Sequence, residues 1–228
     1  MKRSTLLLLL FLLLTTAARA AVGDSLTRIV IRTTKGDIRA VLFNDTPLHR
    51  DNFLQKVRAH GYDSLLFHRV IPGFVIQAGD TASRHALPGQ PLGDSPESRT
   101  IPAEIRFPTH YHRMGAIGMA REDDSVNPGR ASSEWQFYIV GGQPYTDDAL
   151  AAVQERLDSV CAGRVRLGPR LREDYRTLGG APHLDGQYTI FGEVTEGFDV
   201  LDSLQFVPRD AADRPIEDER IITIRVEE

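Results

Sequence analysis

The chain has 228 residues, of which 41% are hydrophobic and 25% are charged, a composition typical of a folded globular protein and not of a disordered one. This length accommodates one domain with a sizeable core. The formal net charge of −4 argues against a nucleic-acid partner, because phosphate backbones attract basic surfaces. Cys161 is the single cysteine, so an internal disulfide is excluded, and its thiol is buried, free or paired with another chain.

The first twenty residues have the features of a targeting segment. Lys2 and Arg3 precede an unbroken apolar run over residues 6–14, and residues 18–20 form an A-x-A cleavage site. This pattern predicts a secretory signal peptide over residues 1–20, and a retained membrane anchor is the alternative. The apolar run is short against the roughly 20 residues of a membrane-spanning helix. We therefore expect an exported protein, periplasmic or secreted, with no stable membrane insertion after cleavage.

Short apolar runs separated by turn signals fill the rest of the chain, from residue 27 to residue 226, and predict many short strands. A helix start is expected at Thr46-Pro47, with an end near Gly61. The predicted strands lie at residues 27–33, 38–43, 67–71, 74–79, 114–120, 136–140, 187–194 and 221–226, with a second short helix at 198–204. Many short strands with two flanking helices favour a closed antiparallel barrel.

A helical pattern interrupts these strands at about residues 145–180. Acidic residues follow Thr146 as in the first turn of a helix, and apolar residues recur at helical spacing as far as Val160. A second helix is predicted over residues 169–177 and ends at a glycine pair. The segment is interpreted as a helical hairpin packed on the barrel. A lid or a partner surface beside a binding groove is the alternative.

Two of the predicted strands, joined by a Pro-Gly turn, each carry one unusual polar residue, Arg69 or Gln77, among apolar neighbours. Side chains alternate between the faces of a strand. Phe67, Arg69 and Ile71 are therefore expected to share one face, and Val75 and Gln77 another. The pattern predicts an apolar wall with an arginine and a glutamine set into it. A barrel strand whose arginine reaches solvent along its apolar stem would have the same pattern.

Residues 67–80 resemble the signature of the cyclophilin-type peptidyl-prolyl isomerases, which reads F-H-R-x-I-x-x-F-x-x-Q-x-G-D. The resemblance extends over about residues 27–226. It implies a mainly β fold, a closed eight-stranded antiparallel barrel capped by two helices, here with the extra helical insertion. It also implies that Arg69 is the main catalytic residue and that Phe74 and Gln77 act with it at the proline pocket, with Val75 beside them.

Three further segments resemble parts of the same family's substrate site. Residues 119–121 are similar to its M-A-N segment, residues 136–139 to Q-F-F-I, and residues 184–192 to L-D-G-K-x-x-x-F-G. The resemblance implies that the substrate is bound by Met119, Ala120, Arg121, Gln136, Tyr138, His183, Leu184 and Tyr188.

Several of these positions depart from the family pattern. Arg121 replaces an asparagine, so its contact with the substrate backbone must be remade or lost. Tyr138 replaces a phenylalanine, and its hydroxyl needs a partner or a route to water. His183 stands where drug-sensitive members carry a tryptophan, so weak cyclosporin binding is expected. Tyr188 takes a position where many members have histidine. Trp135 and the residue before it replace a small Gly-Ser pair, and the indole lies beside the groove or packs under it.

The implied reaction is rotation about an X-Pro bond, whose barrier is about 18–20 kcal/mol. An enzyme for it must seat the proline ring, hold the flanking backbone and donate hydrogen bonds to groups that gain electron density. Arg69 suits the donor role because a guanidinium is always charged and carries five N–H groups. We expect no metal or other cofactor, a monomer, and unfolded or extended proline-containing polypeptides as partners.

Rival functions find less support in the sequence. No G-x-S-x-G nucleophile elbow is present. His110 and His112 could share a strand face as metal ligands, but no matched third ligand is apparent, and solvated or packed histidines are the alternative. The strongest rival is a binding module that clamps proline-containing client segments with little turnover. The Arg69, Phe74 and Gln77 set favours catalysis, whereas the departures and the insertion leave room for the clamp.

Overall fold

The computed structural model describes residues 25–227, so the predicted signal peptide at residues 1–20 lies outside the described part. Eight strands form one antiparallel sheet in the order β10-β1-β2-β9-β6-β8-β4-β3, and the small pair β5-β7 lies apart from it. The strands are β1 Thr27–Thr33, β2 Gly36–Leu42, β3 Phe67–Ile71, β4 Val75–Ala78, β5 Thr100–Ile101, β6 Ala116–Met119, β7 Ser132–Ser133, β8 Phe137–Val140, β9 Ile190–Glu196 and β10 Ile221–Val226. The helices are α1 Pro47–Arg58, α2 Asp147–Val160, α3 Pro169–Thr177 and α4 Phe198–Gln205.

The core lies on the concave side of the sheet, as the alternating pattern of the first hairpin predicts. Ile29 and Ile31 of β1 are fully buried, while Arg28 and Arg32 on either side of them are exposed. Ile31 faces Ile38 of β2, so apolar residues meet directly across the pair. Helices α1 and α4 contribute buried side chains to the same core.

Helix α1 begins at Pro47, as predicted, but the Thr46 side chain does not cap it. The Glu104 carboxylate does so instead, accepting hydrogen bonds from the backbone N–H groups of Leu48 at 3.2 Å and His49 at 3.0 Å. A carboxylate at a helix N-terminus satisfies free donors and complements the helix dipole. The cap is supplied from 55 or more residues away in sequence, which no local pattern could reveal.

The prediction of a closed barrel is wrong, because the sheet is open and its edge strands are β3 and β10. The two edges meet at their starts, through a bridge between Leu66 and Arg220 and the backbone hydrogen bonds that flank it. Farther along β3, the Val70 backbone N–H donates to the carbonyl oxygen of Asp213. The segment between α4 and β10 therefore occupies the edge of β3 that a closed barrel would offer to β10.

The face assignment for β3 is also wrong in part. The pairing register slips between Phe67 and Arg69, where β3 bulges against β4. Because a bulge adds a residue to one strand, it reverses the alternation of faces. Phe67 therefore lies in the core with Val70, while Arg69 lies on the opposite face. The expectation for β4 is confirmed, since Val75 and Gln77 line the same surface cavity.

The predicted insertion helices are present as α2 and α3, and they form a hairpin with its own small core. Thr146 caps α2 through a hydrogen bond from the Ala149 N–H. Leu150, Leu157 and Tyr175 are fully buried there, and Cys161 is a buried free thiol. The hairpin packs against the barrel, most closely against the turn at Pro182–Leu184. In residues 25–227, no helix combines the length and the apolar character needed to cross a membrane.

Candidate active site

A small cavity opens on the convex side of the sheet and has a volume of about 150 Å³. The cavity is lined by Arg69, Phe74, Val75, Gln77, Ala120, Arg121, Tyr138, Leu184 and Tyr188. All nine were predicted as site residues from the sequence. We use two names for its sides: the strand wall is Arg69, Gln77 and Tyr138, and the loop wall is Arg121, Leu184 and Tyr188.

The strand wall is one row across the sheet. Arg69 lies opposite Gln77, Gln77 opposite Tyr138, and Tyr138 opposite Gly118 of β6. Directly opposite residues of antiparallel strands project on the same face and lie within contact distance. The bulge at β3 is what brings Arg69 into this row. Residues that are up to 69 positions apart in sequence thus form a continuous surface.

Side-chain hydrogen bonds connect the strand wall to a neighbouring loop. Arg69 Nη1 donates to Gln77 Oε1 at 3.2 Å, and Gln77 Nε2 donates to Gln136 Oε1 at 2.9 Å. Gln136 Nε2 then donates to the carbonyl oxygen of Gly93 at 2.7 Å. Each amide is oriented by the next group, because its oxygen accepts on one side and its nitrogen donates on the other. Asp80, the last residue of the signature, fixes the loop by accepting from the Gly93 N–H at 2.5 Å.

Gln77 is the single hydrogen-bond partner of the Arg69 guanidinium among residues 25–227. A guanidinium has five N–H donors, so several remain available at the edge of the cavity. Arg69 is only partly buried. The side chain is thus held in place by one contact and keeps donors for a bound molecule.

Phe74 lies in the turn between β3 and β4, and its ring is 5.1 Å from the ring of His183. Burial lowers the pKa of His183 to about 4, with the positive charge of Arg156 acting in the same direction. The imidazole is therefore neutral at pH 7 and behaves as a flat, mainly apolar group beside Phe74.

The Tyr138 hydroxyl has a buried partner. The ring of Tyr138 crosses Gly118, where an added Cβ would overlap it. Its hydroxyl oxygen lies 2.8 Å from His112 Nε2. His112 Nδ1 lies 2.9 Å from Asp185 Oδ1, and the Tyr175 hydroxyl donates to Asp185 Oδ2 at 2.7 Å. Burial raises the pKa of Tyr138 and of Tyr175 well above the ordinary value, so both hydroxyls stay protonated. The ring faces the cavity and its hydroxyl is held beneath the surface.

Arg121, which replaces the asparagine of the family pattern, is engaged by groups of the protein itself. Its guanidinium lies 4.5 Å from the centre of the Tyr188 ring, a cation–π contact. Its Nε donates to the Gln187 carbonyl oxygen at 2.8 Å, and Nη1 pairs with Asp124 at 2.6 Å. The side chain is only 4% exposed. Arg121 therefore joins its own loop, which contains Asp124, to the loop that contains Gln187 and Tyr188, and so forms the loop wall.

A wider groove of about 760 Å³ adjoins the small cavity and shares Gln77, Ala120 and Arg121 with it. It runs past Gln136 between the loops at residues 93–97 and 120–131. The two cavities together give an extended peptide a seat for one ring and a channel for its neighbours.

Trp135 packs under the groove and not within it, as one of the two alternatives predicted. It lies against the core, with Lys56 Nζ 4.5 Å from the centre of its ring. Lys56 also pairs with the buried Glu134 at 3.3 Å. Burial opposes ionisation of Glu134, but hydrogen bonds from Ser98 and the charge of Lys56 prevail and lower its pKa to about 2.

Of the predicted binding residues, His183 lines neither cavity but lies beside Phe74, and Met119 lies in the interior. The Met119 side chain is fully buried in the core, so only its backbone is near the groove. Gln136 lines the wider groove and not the small cavity. Sequence reasoning missed Gly93, Asp185 and Tyr175, which act on the site from behind. One signal was available, since Tyr138 was expected to need a partner.

The two histidines considered as metal ligands have other partners. His110 stacks on Phe43 with ring centres 3.9 Å apart and pairs with Asp45 at 2.8 Å. His112 belongs to the buried chain described above. The described range, residues 25–227, contains no group of three or more His, Cys, Asp or Glu side chains able to hold a metal ion.

Comparisons with known proteins agree with this geometry. Residues 28–226 match the family profile described as cyclophilin type peptidyl-prolyl cis-trans isomerase/CLD. A Staphylococcus epidermidis protein, whose name proposes a peptidyl-prolyl cis-trans isomerase, is 30% identical over 91% of this chain and 95% of its own. A bifunctional phosphatase/isomerase proposed in Streptococcus pyogenes is 34% identical, but the match spans 87% of this chain and only 38% of that protein.

Among solved structures, a Cryptosporidium parvum cyclophilin type peptidyl-prolyl cis-trans isomerase superposes with a TM-score of 0.62 at 25% identity, over 90% of this chain and 99% of its own. A second structure of it, determined in the presence of the dipeptide Ala-Pro, gives a TM-score of 0.60 at 26% identity. With the profile match and the cavity in agreement, the chain belongs to the cyclophilin-type peptidyl-prolyl cis-trans isomerase family, whose members catalyse rotation about X-Pro bonds.

Proposed function

We propose that the chain isomerises X-Pro bonds in exported polypeptides and thereby assists their folding in the periplasm or outside the cell. The observation that carries the site assignment is the Arg69 guanidinium at the edge of the small cavity, fixed by Gln77 and otherwise open to a ligand. The proposed export depends on the signal-peptide pattern at residues 1–20.

The proposed mechanism has three parts: seating the proline ring, holding the flanking peptide and donating a hydrogen bond to the twisting amide. Phe74, Leu184 and the Tyr138 ring seat the proline ring, while Gln136 and the Ala120 backbone hold the flanking peptide. As the amide twists, its nitrogen lone pair localises, and Arg69 donates to the group that gains electron density. Stabilising the twisted state by about 7 kcal/mol more than the planar ones would accelerate exchange by roughly 10⁵. The step is rotation only, so it needs no nucleophile and no electron transfer.

A second candidate function is a clamp for proline-containing segments with little turnover. The observation that favours it is Arg121, whose side chain is engaged by Tyr188 and Asp124 and so leaves one backbone contact of the family pattern without its usual donor. The wide adjoining groove would still bind an extended chain.

An exchange assay on an Ala-X-Pro peptide separates the two candidates. The mature chain is compared with Arg69→Ala and with Arg58→Ala, an exposed arginine on α1 that serves as a matched control. Removing one preorganised donor typically costs roughly 10²- to 10³-fold, so Arg69→Ala is expected to lose about 100-fold in kcat/KM. Equal inactivity of the wild type and Arg69→Ala, with peptide binding retained in both, would favour the clamp.

The proposed export has a separate test. The full chain is expressed in a bacterial host, the compartments are separated, and the mass of the product is measured. Loss of residues 1–20 and recovery outside the cytoplasm are expected. An unprocessed chain in the membrane fraction would favour the retained anchor.

A further inference from the structure

The helical insertion reaches the proline cavity through a chain of buried hydrogen bonds. Tyr175 of α3 donates to Asp185, Asp185 binds His112, and His112 binds the hydroxyl of Tyr138. The distances are 2.7, 2.9 and 2.8 Å. The chain links the insertion to the cavity, because Tyr175 belongs to the core of the insertion and Tyr138 belongs to the strand wall.

Burial makes these contacts strong and directional. Tyr175 and Asp185 are fully buried, and His112 is 1% exposed. A buried polar group that loses its partner is costly, so the chain favours one arrangement in which every member is satisfied. Asp185 accepts from the His112 backbone N–H as well as from Nδ1, both at 2.9 Å. Since Asp185 Oδ1 already accepts from the backbone N–H, the contact with Nδ1 assigns the ring proton to Nδ1 and leaves Nε2 to accept from Tyr138.

Asp185 also anchors the loop that carries the other wall. It directly follows Leu184 and lies three residues before Tyr188, both of which line the cavity. The insertion packs on the back of this loop, where Val165 fills the space beside Gly186 so closely that a Cβ there would overlap it. The insertion thus touches the loop wall by packing and the strand wall by hydrogen bonds.

We propose that Tyr175 and Asp185 are positioning residues of this isomerase, acting through His112 to fix the Tyr138 ring on the proline cavity. The insertion is then a structural support of the site from behind and not a lid in front of it. This inference rests on the proposed function only for its activity readout, since a fixed Tyr138 ring also governs the affinity for a proline ligand.

Tyr175→Phe removes the hydroxyl from the chain while leaving the ring in place. The matched control is Tyr111→Phe, because Tyr111 is buried in the same cluster with its ring against Tyr175, but its hydroxyl binds Asp174 and not Asp185. Loss of a hydrogen bond to a charged group is expected to lower kcat/KM about tenfold in Tyr175→Phe. Tyr111→Phe should lose similar thermal stability and change kcat/KM by less than about twofold.

A double-mutant cycle with Tyr138→Phe provides a readout that a merely structural role would not move. If the Tyr175 hydroxyl acts through that of Tyr138, the effect of Tyr175→Phe on kcat/KM should be at least about threefold smaller in the Tyr138→Phe background. Fully additive effects, or a Tyr175→Phe that behaves like Tyr111→Phe, would overturn the proposal.

The same cycle is measured on the dissociation constant of the dipeptide Ala-Pro, followed by NMR titration. A wild type with no exchange activity would refute the proposed function, and the dipeptide cycle would still decide the positioning role. Coupling in that cycle supports the inference, and additivity refutes it.

Discussion

The two walls of the cavity are built in different ways. The strand wall is a row of directly opposed residues on neighbouring strands, so its spacing is set by sheet pairing together with the bulge in β3. The loop wall consists of two irregular segments, joined by the Arg121 contact with Tyr188 and anchored underneath by Asp185. Strand pairing sets the backbone positions of the strand wall, and the buried hydrogen bond to His112 then fixes its Tyr138 ring, whereas the loop wall depends on side-chain contacts for its backbone positions as well. The predictions below test this difference.

The largest expected effect is a loss of stability in mild acid, because a histidine with a lowered pKa lies in β3 and another directly precedes Leu184 of the loop wall. Burial lowers the pKa of His68 in β3 to about 4, and that of His183 on the loop side to about 4 as well. Both folded values lie below the unfolded value of about 6.5, so stability is lost as the pH falls from 6.5 towards 4. The loss is up to roughly 3 kcal/mol per histidine, and less for the partly exposed His183.

Urea unfolding at pH 7.0, 5.5 and 4.5 measures this dependence above the range in which most carboxylates titrate. Neither ring nitrogen of His68 has a hydrogen-bond partner among the described residues, so His68→Leu should flatten the profile without costing stability at pH 7. His183→Asn should flatten it less. If the free energy of unfolding of the wild type did not change between pH 6.5 and 4.5, the lowered pKa values of the two histidines would be contradicted.

The next effect concerns the position where the strand wall meets its buried support. A Cβ at Gly118 would overlap the Tyr138 ring and displace it from His112, so Gly118→Ala is expected to cost about 2 kcal/mol and to reduce exchange activity. Gly129 is a matched control, because a Cβ there meets nothing. Thermal unfolding and the peptide assay report the two losses, and equal behaviour of Gly118→Ala and Gly129→Ala would refute the close contact.

A smaller effect is expected when the hydrogen-bonded row is interrupted within the strand wall. Gln77→Ala removes the group that orients both Arg69 and Gln136, so kcat/KM should fall about tenfold with the fold intact. Gln55→Ala, on the exposed side of α1, controls for loss of a glutamine. A similar drop in both variants would show that the row does not position Arg69.

The smallest effect belongs to the loop wall. Arg121→Lys keeps the charge but loses the planar contact with Tyr188 and the donor to Gln187, at a cost of about 0.5–1 kcal/mol. We expect kcat/KM to fall about threefold, with a stronger effect on substrates that extend into the wider groove. The control is Arg58→Lys, and the outcome that contradicts the joining role is a normal affinity for long peptides.

The sequence alone determined most of the secondary structure and most of the cavity. The turn signals and alternating runs located the main strands, and helical spacing located α2 and α3 within the insertion. The signature segment, through its resemblance to the family, predicted that Arg69, Phe74 and Gln77 come together. These are local features, in which residue type and spacing within one or two elements carry the information.

The tertiary structure decided what depends on contacts between distant segments. The Glu104 cap of α1 and the open edge beside β3 depend on partners far away in sequence, and the bulge that moves Arg69 onto the cavity face depends on how β3 pairs with β4. The same holds for the Tyr138, His112, Asp185 and Tyr175 chain, since alternation gives a side chain its face but not its hydrogen-bond partner. Which buried polar groups meet is set by packing, and packing exists only once the chain is folded.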